Sequence, residues 1–153
     1  MANVSLPEPH ASTAWRWYLR AQYRLIRLLD PFVATFWRAY GLGNVVELQV
    51  PGRRTGRPRP ILLGLLRDGE HWFLGHPNGD VAWTRNLEEA DSAALSFRYP
   101  SAVAIRATRL QPGELRDRAI LLTGQHVFPG NIVYRLARAH VRAVGVYFSI
   151  ELE

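Results

Sequence analysis

The 153-residue chain contains no cysteine. That excludes a disulfide framework, a thiolate nucleophile and thiolate-based zinc or iron–sulfur sites. Lysine is also absent, since all 19 basic residues are arginine, so no Gly-x-x-x-x-Gly-Lys phosphate loop exists. No apolar run reaches the roughly 18 to 20 residues of a spanning helix, and the N-terminus shows no basic start followed by an apolar signal core. A cytoplasmic protein is expected, with peripheral contact at the inner face of the cell membrane left open. Serine-hydrolase elbows and His-Glu-x-x-His helices are missing, and Gly41-Leu42-Gly43 lacks the third glycine of a dinucleotide loop. The five histidines show no ligand spacing, so no metal site is expected.

What is present is apolar and aromatic. Hydrophobic residues make up 48% of the chain and aromatics 11%, enough for one core in a single domain. The net charge of +6 is unevenly placed: between Glu47 and Asp68 there is no acid, yet Arg53, Arg54, Arg57, Arg59 and Arg67 fall there. Such clustering marks a local anion site more than a diffuse field. Charge alone would also suit a nucleic acid, but no reader motif accompanies it, and no nucleic-acid partner is expected.

Residues 1–12 read as a loose tail with Pro7 and Pro9, residues 13–43 as an amphipathic helical segment, and residues 44–153 as the main body. Within 13–43, Trp15, Tyr18, Leu19, Gln22, Leu25, Ile26 and Leu29 share one face, and Arg16, Arg20, Arg24 and Arg27 line the other. Asp30-Pro31 predicts a break, with a second short helix over 32–40. Residues 45–50, 59–66 and 71–75 predict a three-stranded meander. A helix follows over 82–90, and strands over 93–99 and 102–110 join around Pro100-Ser101. Helices over 112–122 and 132–140 and a strand over 144–152 close the chain. The pattern predicts an α+β fold on about six mostly antiparallel strands, curled toward a barrel, with N-terminal and late-chain helices.

Two segments carry chemistry. In Pro51-Gly52-Arg53-Arg54-Thr55-Gly56-Arg57-Pro58-Arg59, glycines free backbone N–H groups to face an anion, and guanidinium groups flank them. The same segment is equally readable as a solvated turn. In Trp83-Thr84-Arg85-Asn86, Trp83 and Asn86 share a face at a helix start and offer an indole N–H and an amide. Core packing of Trp83 with Asn86 exposed is the competing reading.

Together, Gly-Arg-Arg-Thr-Gly-x-Pro-Arg between strands, a strand ending in an Asn-Gly loop, and Trp-x-x-Asn-Leu resemble the deazaflavin-dependent nitroreductase family over about residues 44–110. The strand after Arg142 is similar to that family's closing strand, with Gly145 where proline is usual. The resemblance implies a split β-barrel that binds coenzyme F420 and passes a hydride to a quinone, nitroaromatic or other conjugated acceptor. Carried over, Arg53, Arg54, Thr55 and Arg59 would hold the acidic tail with Trp83 and Asn86, while Gly75, His76, Asn78 and Gly79 would flank the ring. Tyr134, His76 and His140 are candidates for proton supply. Alternatives on the same barrel are FMN, haem, or a non-catalytic role in binding a lipid or hydrophobic ligand. The N-terminal helix suits either an anionic membrane surface or a cover across the barrel mouth. Oligomeric state is left open.

Overall fold

The computed structural model describes residues 5–98 and 102–153, and its frame is one seven-stranded antiparallel sheet. Its strands are β1 (Val45–Pro51), β2 (Pro58–Gly64), β3 (Leu66–Asp68), β4 (His71–His76), β5 (Ala93–Ser96), β6 (Ala102–Arg109) and β7 (Val146–Leu152). They are ordered β2-β1-β5-β6-β7-β4-β3. The turn expected around Pro100-Ser101 and the start of the N-terminal tail lie outside the described residues.

The two outermost strands, β2 and β3, are separated in sequence by Leu65 alone. The opposite rims must therefore approach one another, and the sheet curls into a split barrel. Leu65 N–H donates to the Asn44 carbonyl at 2.9 Å, and Asn44 Nδ2 donates to the Leu65 carbonyl at 3.1 Å, which pins the corner. The expected meander over 45–75 is corrected here. β1 pairs with β2 and β3 with β4, but the two hairpins sit at opposite ends of the sheet because the chain changes partner at Leu65.

Alternation along β4 and β7 sends neighbouring side chains to two cores. Leu74, Val146, Phe148 and Ile150 join Val46, Leu48 and Leu95 inside the barrel. Phe73 and Tyr147 point the other way, against Ala119, Ile120 and Val141 of the late helices. A fully buried leucine such as Leu48 contributes about 1.5–3 kcal/mol by leaving water.

Helix α1 runs unbroken over Thr13–Tyr40, so the expected break at Asp30-Pro31 does not occur. Pro31 lies on the exposed side of the helix, where the carbonyl it leaves unpaired can meet water. The remaining helices are α2 (Ala82–Glu89), α3 (Glu114–Leu121), α4 (Gly130–Leu136) and α5 (Arg138–Val144). The single helix expected over 132–140 is instead two, divided at Ala137. Residues 5–12 form no helix or strand, yet His10 N–H donates to the Ala139 carbonyl and Arg142 Nη1 to the Pro7 carbonyl, tying them to α5.

Both ends of α1 are fastened. At its start Ser12 Oγ caps the Trp15 N–H, and the Arg16 carbonyl accepts from Asn78 Nδ2 at 3.0 Å. At its end Trp37 Nε1 donates to the Val45 carbonyl at 2.9 Å, and Arg98 Nη2 to the Ala39 carbonyl at 2.8 Å.

Candidate functional site

Between α1, the inner rim of β2, the end of β4, α2 and the 126–134 segment lies a cavity of about 390 Å³. Of the residues singled out from sequence, Arg59, Gly75, His76, Trp83, Asn86 and Tyr134 line it. These positions span 75 residues of sequence, so the fold, not proximity along the chain, assembles the set.

The basic turn is a closed loop. Gly52 N–H donates to the Arg57 carbonyl at 2.8 Å and Gly56 N–H to the Gly52 carbonyl at 2.7 Å, with Gly56 at φ 68°, a left-handed conformation that suits glycine. Arg57 N–H donates to Thr55 Oγ1, so that hydroxyl serves the turn itself. Arg53, Arg54, Arg57 and Arg59 are all exposed, and among the described residues none pairs with a carboxylate. Of these arginines only Arg59 lines the cavity. Arg53 lines a smaller adjoining pocket of about 230 Å³ that shares Asn86 and also contains Glu89 and Asp91.

Asn86 links turn and helix: its Oδ1 accepts the Arg53 N–H at 3.3 Å, and its side chain is buried. Trp83 is buried in the barrel core beside Phe148, at 6.2 Å between ring centroids, and still lines the cavity. Its Nε1 is buried with no hydrogen-bond partner among the described residues. An indole N–H donates only, and leaving it unpaired costs free energy that a ligand acceptor would recover. The start of α2 is closed by Thr84, whose hydroxyl accepts the Val81 N–H and donates to Asp80 Oδ1. Arg109 grips the same Asp80 through both carboxylate oxygens and reaches Glu88, fastening α2 to β6. That hydrogen bond from Arg109 holds the Asp80 carboxyl below its ordinary range.

The loop after β4 is organised by Asn78, which does not line the cavity. Its Oδ1 accepts from His140 Nε2 at 2.8 Å, while His140 Nδ1 accepts the Ser12 N–H at 2.9 Å. Both nitrogens of this buried ring are therefore committed, its proton sits on Nε2, and burial lowers its pKa. Gly79 holds φ 81° and its carbonyl lies 3.1 Å from His76 Nδ1. His76 reaches the cavity wall with its pKa pushed down to about 4 by burial, edge-on to Tyr23 at 5.1 Å. Of the three candidates for proton supply, His140 is locked in structure, whereas His76 and Tyr134 face the cavity. The Tyr134 hydroxyl makes no hydrogen bond among the described residues, and burial raises its pKa, so it remains a protonated phenol.

Sequence reasoning missed one part of the wall. His126 stacks on Tyr134 with ring centroids 4.6 Å apart, and burial pushes its pKa down to about 4. Its ring fits because Gly64 opposite it has no side chain; a Cβ there would fall 2.2 Å from Nδ1. The sequence signal available was that glycine inside an apolar strand, a mark of close approach. Helix α1, for which a cover across the barrel mouth was one of two expectations, supplies Leu19, Gln22, Tyr23, Ile26, Arg27 and Asp30 to the cavity.

No family profile matches the chain, and no curated protein is similar to it. Solved structures do match. HutZ, a haem storage protein from Vibrio cholerae, aligns with a TM-score of 0.53 and 17% identity over 82% of this chain and 90% of its own. An F420-H2 dependent reductase, FDR-A, aligns with a TM-score of 0.51 and 15% identity over 69% of this chain and 93% of its own. At such identities the likeness is one of fold: this chain has the α+β split-barrel architecture, with seven strands where about six were expected.

Proposed function

We propose that the protein is an oxidoreductase that holds reduced coenzyme F420 in this cavity and passes its hydride to a quinone, nitroaromatic or other conjugated acceptor. The observation that carries the reading is that Trp83, Asn86 and Arg59 line one cavity, and that the buried indole N–H of Trp83 has no partner among the described residues. An indole, an amide and a cation lining one cavity fit an anion, and the arginines of the neighbouring turn, none ion-paired among the described residues, extend that fit to an acidic tail. Fold kinship with an F420-H2 dependent reductase is compatible with the proposal but does not select this cofactor from others.

Bound there, the deazaflavin would supply the hydride, and the protein's tasks are placement and exclusion of water. Arg53, Arg54 and Arg59 would hold the acidic tail, and Trp83 and Asn86 its inner anionic edge. Backbone from Gly75 to Gly79 would flank the ring, with Asn78 and Thr55 acting through the loop and turn they brace. Tyr134, neutral and with no hydrogen bond among the described residues, would give a proton to the reduced acceptor.

Titration of the purified protein with oxidised F420, followed by cofactor fluorescence, tests this reading. Saturable binding at micromolar concentration is expected, and absence of binding removes it. The apolar walls, including Leu19, Ile61, Leu63 and Val133, equally favour a barrel that stores a hydrophobic ligand without catalysis. Mass and colour of any small molecule released on denaturation separate the cases: fatty acid without F420 affinity points to storage, and FMN or haem to another cofactor.

A further inference from the structure

Helix α1 has three faces: one packs on the fold, one is apolar and exposed, and one is cationic, touching the body through Arg27 at the cavity and Arg38 at Glu47. Leu19 and Trp37 are buried, and Tyr23 and Ile26 line the cavity. A second face carries Trp17, Leu25, Leu28, Leu29, Phe32 and Phe36, between 46% and 76% exposed, with the exposed Ala21 between Trp17 and Leu25 on the same face. A contiguous apolar surface of this kind marks an interaction site in a water-facing protein. The third face carries Arg16, Arg20, Arg24, Arg27 and Arg38. Asp30, the helix's single acid, turns toward the cavity. Arg20 lies over the Trp17 ring at 5.5 Å, joining the cationic row to the apolar one.

We infer that α1 is an interfacial helix which lays its exposed apolar stripe into the surface of an anionic lipid bilayer. The occupant follows from charge as well as apolarity. A second copy docking antiparallel on the same stripe would set Arg20 and Arg24, which pair with no carboxylate among the described residues, against the same row of the other copy. Anionic headgroups complement the row, and acyl chains the stripe. No described helix is long and apolar enough to cross a membrane, so the geometry is one of lying on the surface. At 28 residues the helix offers about 42 Å of length for that contact.

The cavity opens onto the same surface. Ile26, 48% exposed, and Phe128, 75% exposed, both line the cavity, and Ile26 is one helical turn from Leu29 of the stripe. An apolar path therefore joins the lipid-facing side of α1 to the cavity mouth, along which a lipophilic molecule could move without entering bulk water. This inference stands whichever cofactor the barrel binds, and its test uses none.

The experiment is flotation of the full chain with vesicles of phosphatidylcholine alone and of phosphatidylcholine mixed with phosphatidylglycerol. Flotation with the anionic vesicles is expected, weakening as salt rises. Leu28→Glu/Phe32→Glu should lower the partition about tenfold or more by removing apolar insertion. Arg20→Gln/Arg24→Gln should lower it about fivefold per residue, on anionic vesicles alone. All four side chains face solvent, and circular dichroism confirms that the variants fold. No flotation with anionic vesicles, or flotation unchanged in both variants, overturns the proposal. A dimer that Leu28→Glu/Phe32→Glu dissociates, with no flotation of the parent chain, gives the stripe to a second copy and overturns it equally.

Discussion

Asn86 Oδ1 accepts the backbone N–H of Arg53 at 3.3 Å, a bond across 33 residues that fixes the basic turn to the helix carrying Trp83. Replacing the amide with a carboxylate separates its structural part from its electrostatic one. Asn86→Asp keeps an acceptor for Arg53 but buries a carboxylate, so its loss of stability should shrink as pH falls and the carboxyl takes up a proton, while at neutral pH the added charge repels an anionic cofactor. Asn86→Ala should lose about 1–2 kcal/mol from the unmet N–H and bind the cofactor less weakly than Asn86→Asp. Urea unfolding together with F420 titration reads both quantities.

Trp83→Phe removes the unpartnered indole N–H and keeps an aromatic ring in the barrel. A hydrogen bond to a charged group contributes about 1.5–3 kcal/mol, so F420 affinity should fall about tenfold or more. Without ligand, the variant gives up no hydrogen bond, and only the smaller ring costs stability. Unfolding in the presence and absence of F420 should therefore show the larger stability difference with cofactor bound; equal differences would contradict a ligand-facing N–H.

His76 and His126 both hold pKa values of about 4 in the folded chain against 6.5 when unfolded. A lowered folded-state pKa means that the unfolded state takes up protons first as pH falls. Stability is then fully present above about pH 6.5 and declines steadily between pH 6.5 and 4. His126→Gln should flatten part of that decline, measured as the midpoint of urea unfolding across the interval. An unchanged slope would show that burial does not keep this ring neutral.

Gly75 sits where a Cβ would fall 2.3 Å from the Tyr147 ring, whereas at Gly124 no atom lies within 4 Å. Gly75→Ala should therefore cost about 1–3 kcal/mol through overpacking, and Gly124→Ala should be close to neutral. Thermal denaturation of the two variants side by side checks the contrast.

The elements that sequence made legible are those whose signal is local. β1 declares itself by alternation over 45–50, and the 82–90 helix by its turn before and periodicity within, because each depends on near neighbours. The partner change at Leu65 leaves no such trace: residues 61–66 read as one apolar run whether they form one strand or two. Pro31 misleads for the opposite reason. Its propensity is that of a helix breaker, but the cost falls on a solvent-facing side where tertiary fastening at both ends prevails. Within the site, Arg59, Trp83 and Asn86 stood out by residue type. His126 did not, since its place depends on a strand more than 60 positions earlier having a glycine opposite.

The fastenings at the two ends of α1 make it a beam on two bearings, with the cavity beneath its span. The forward bearing consists of Ser12, Asn78 and His140, which means that the chain ahead of the helix is a tie rod and not an appendage. Trimming it away would strip the Ser12 contacts and leave the forward end held by Asn78 on Arg16 alone while the Trp37 bearing stayed whole, so the chamber would loosen asymmetrically, from the side nearest the β4 loop.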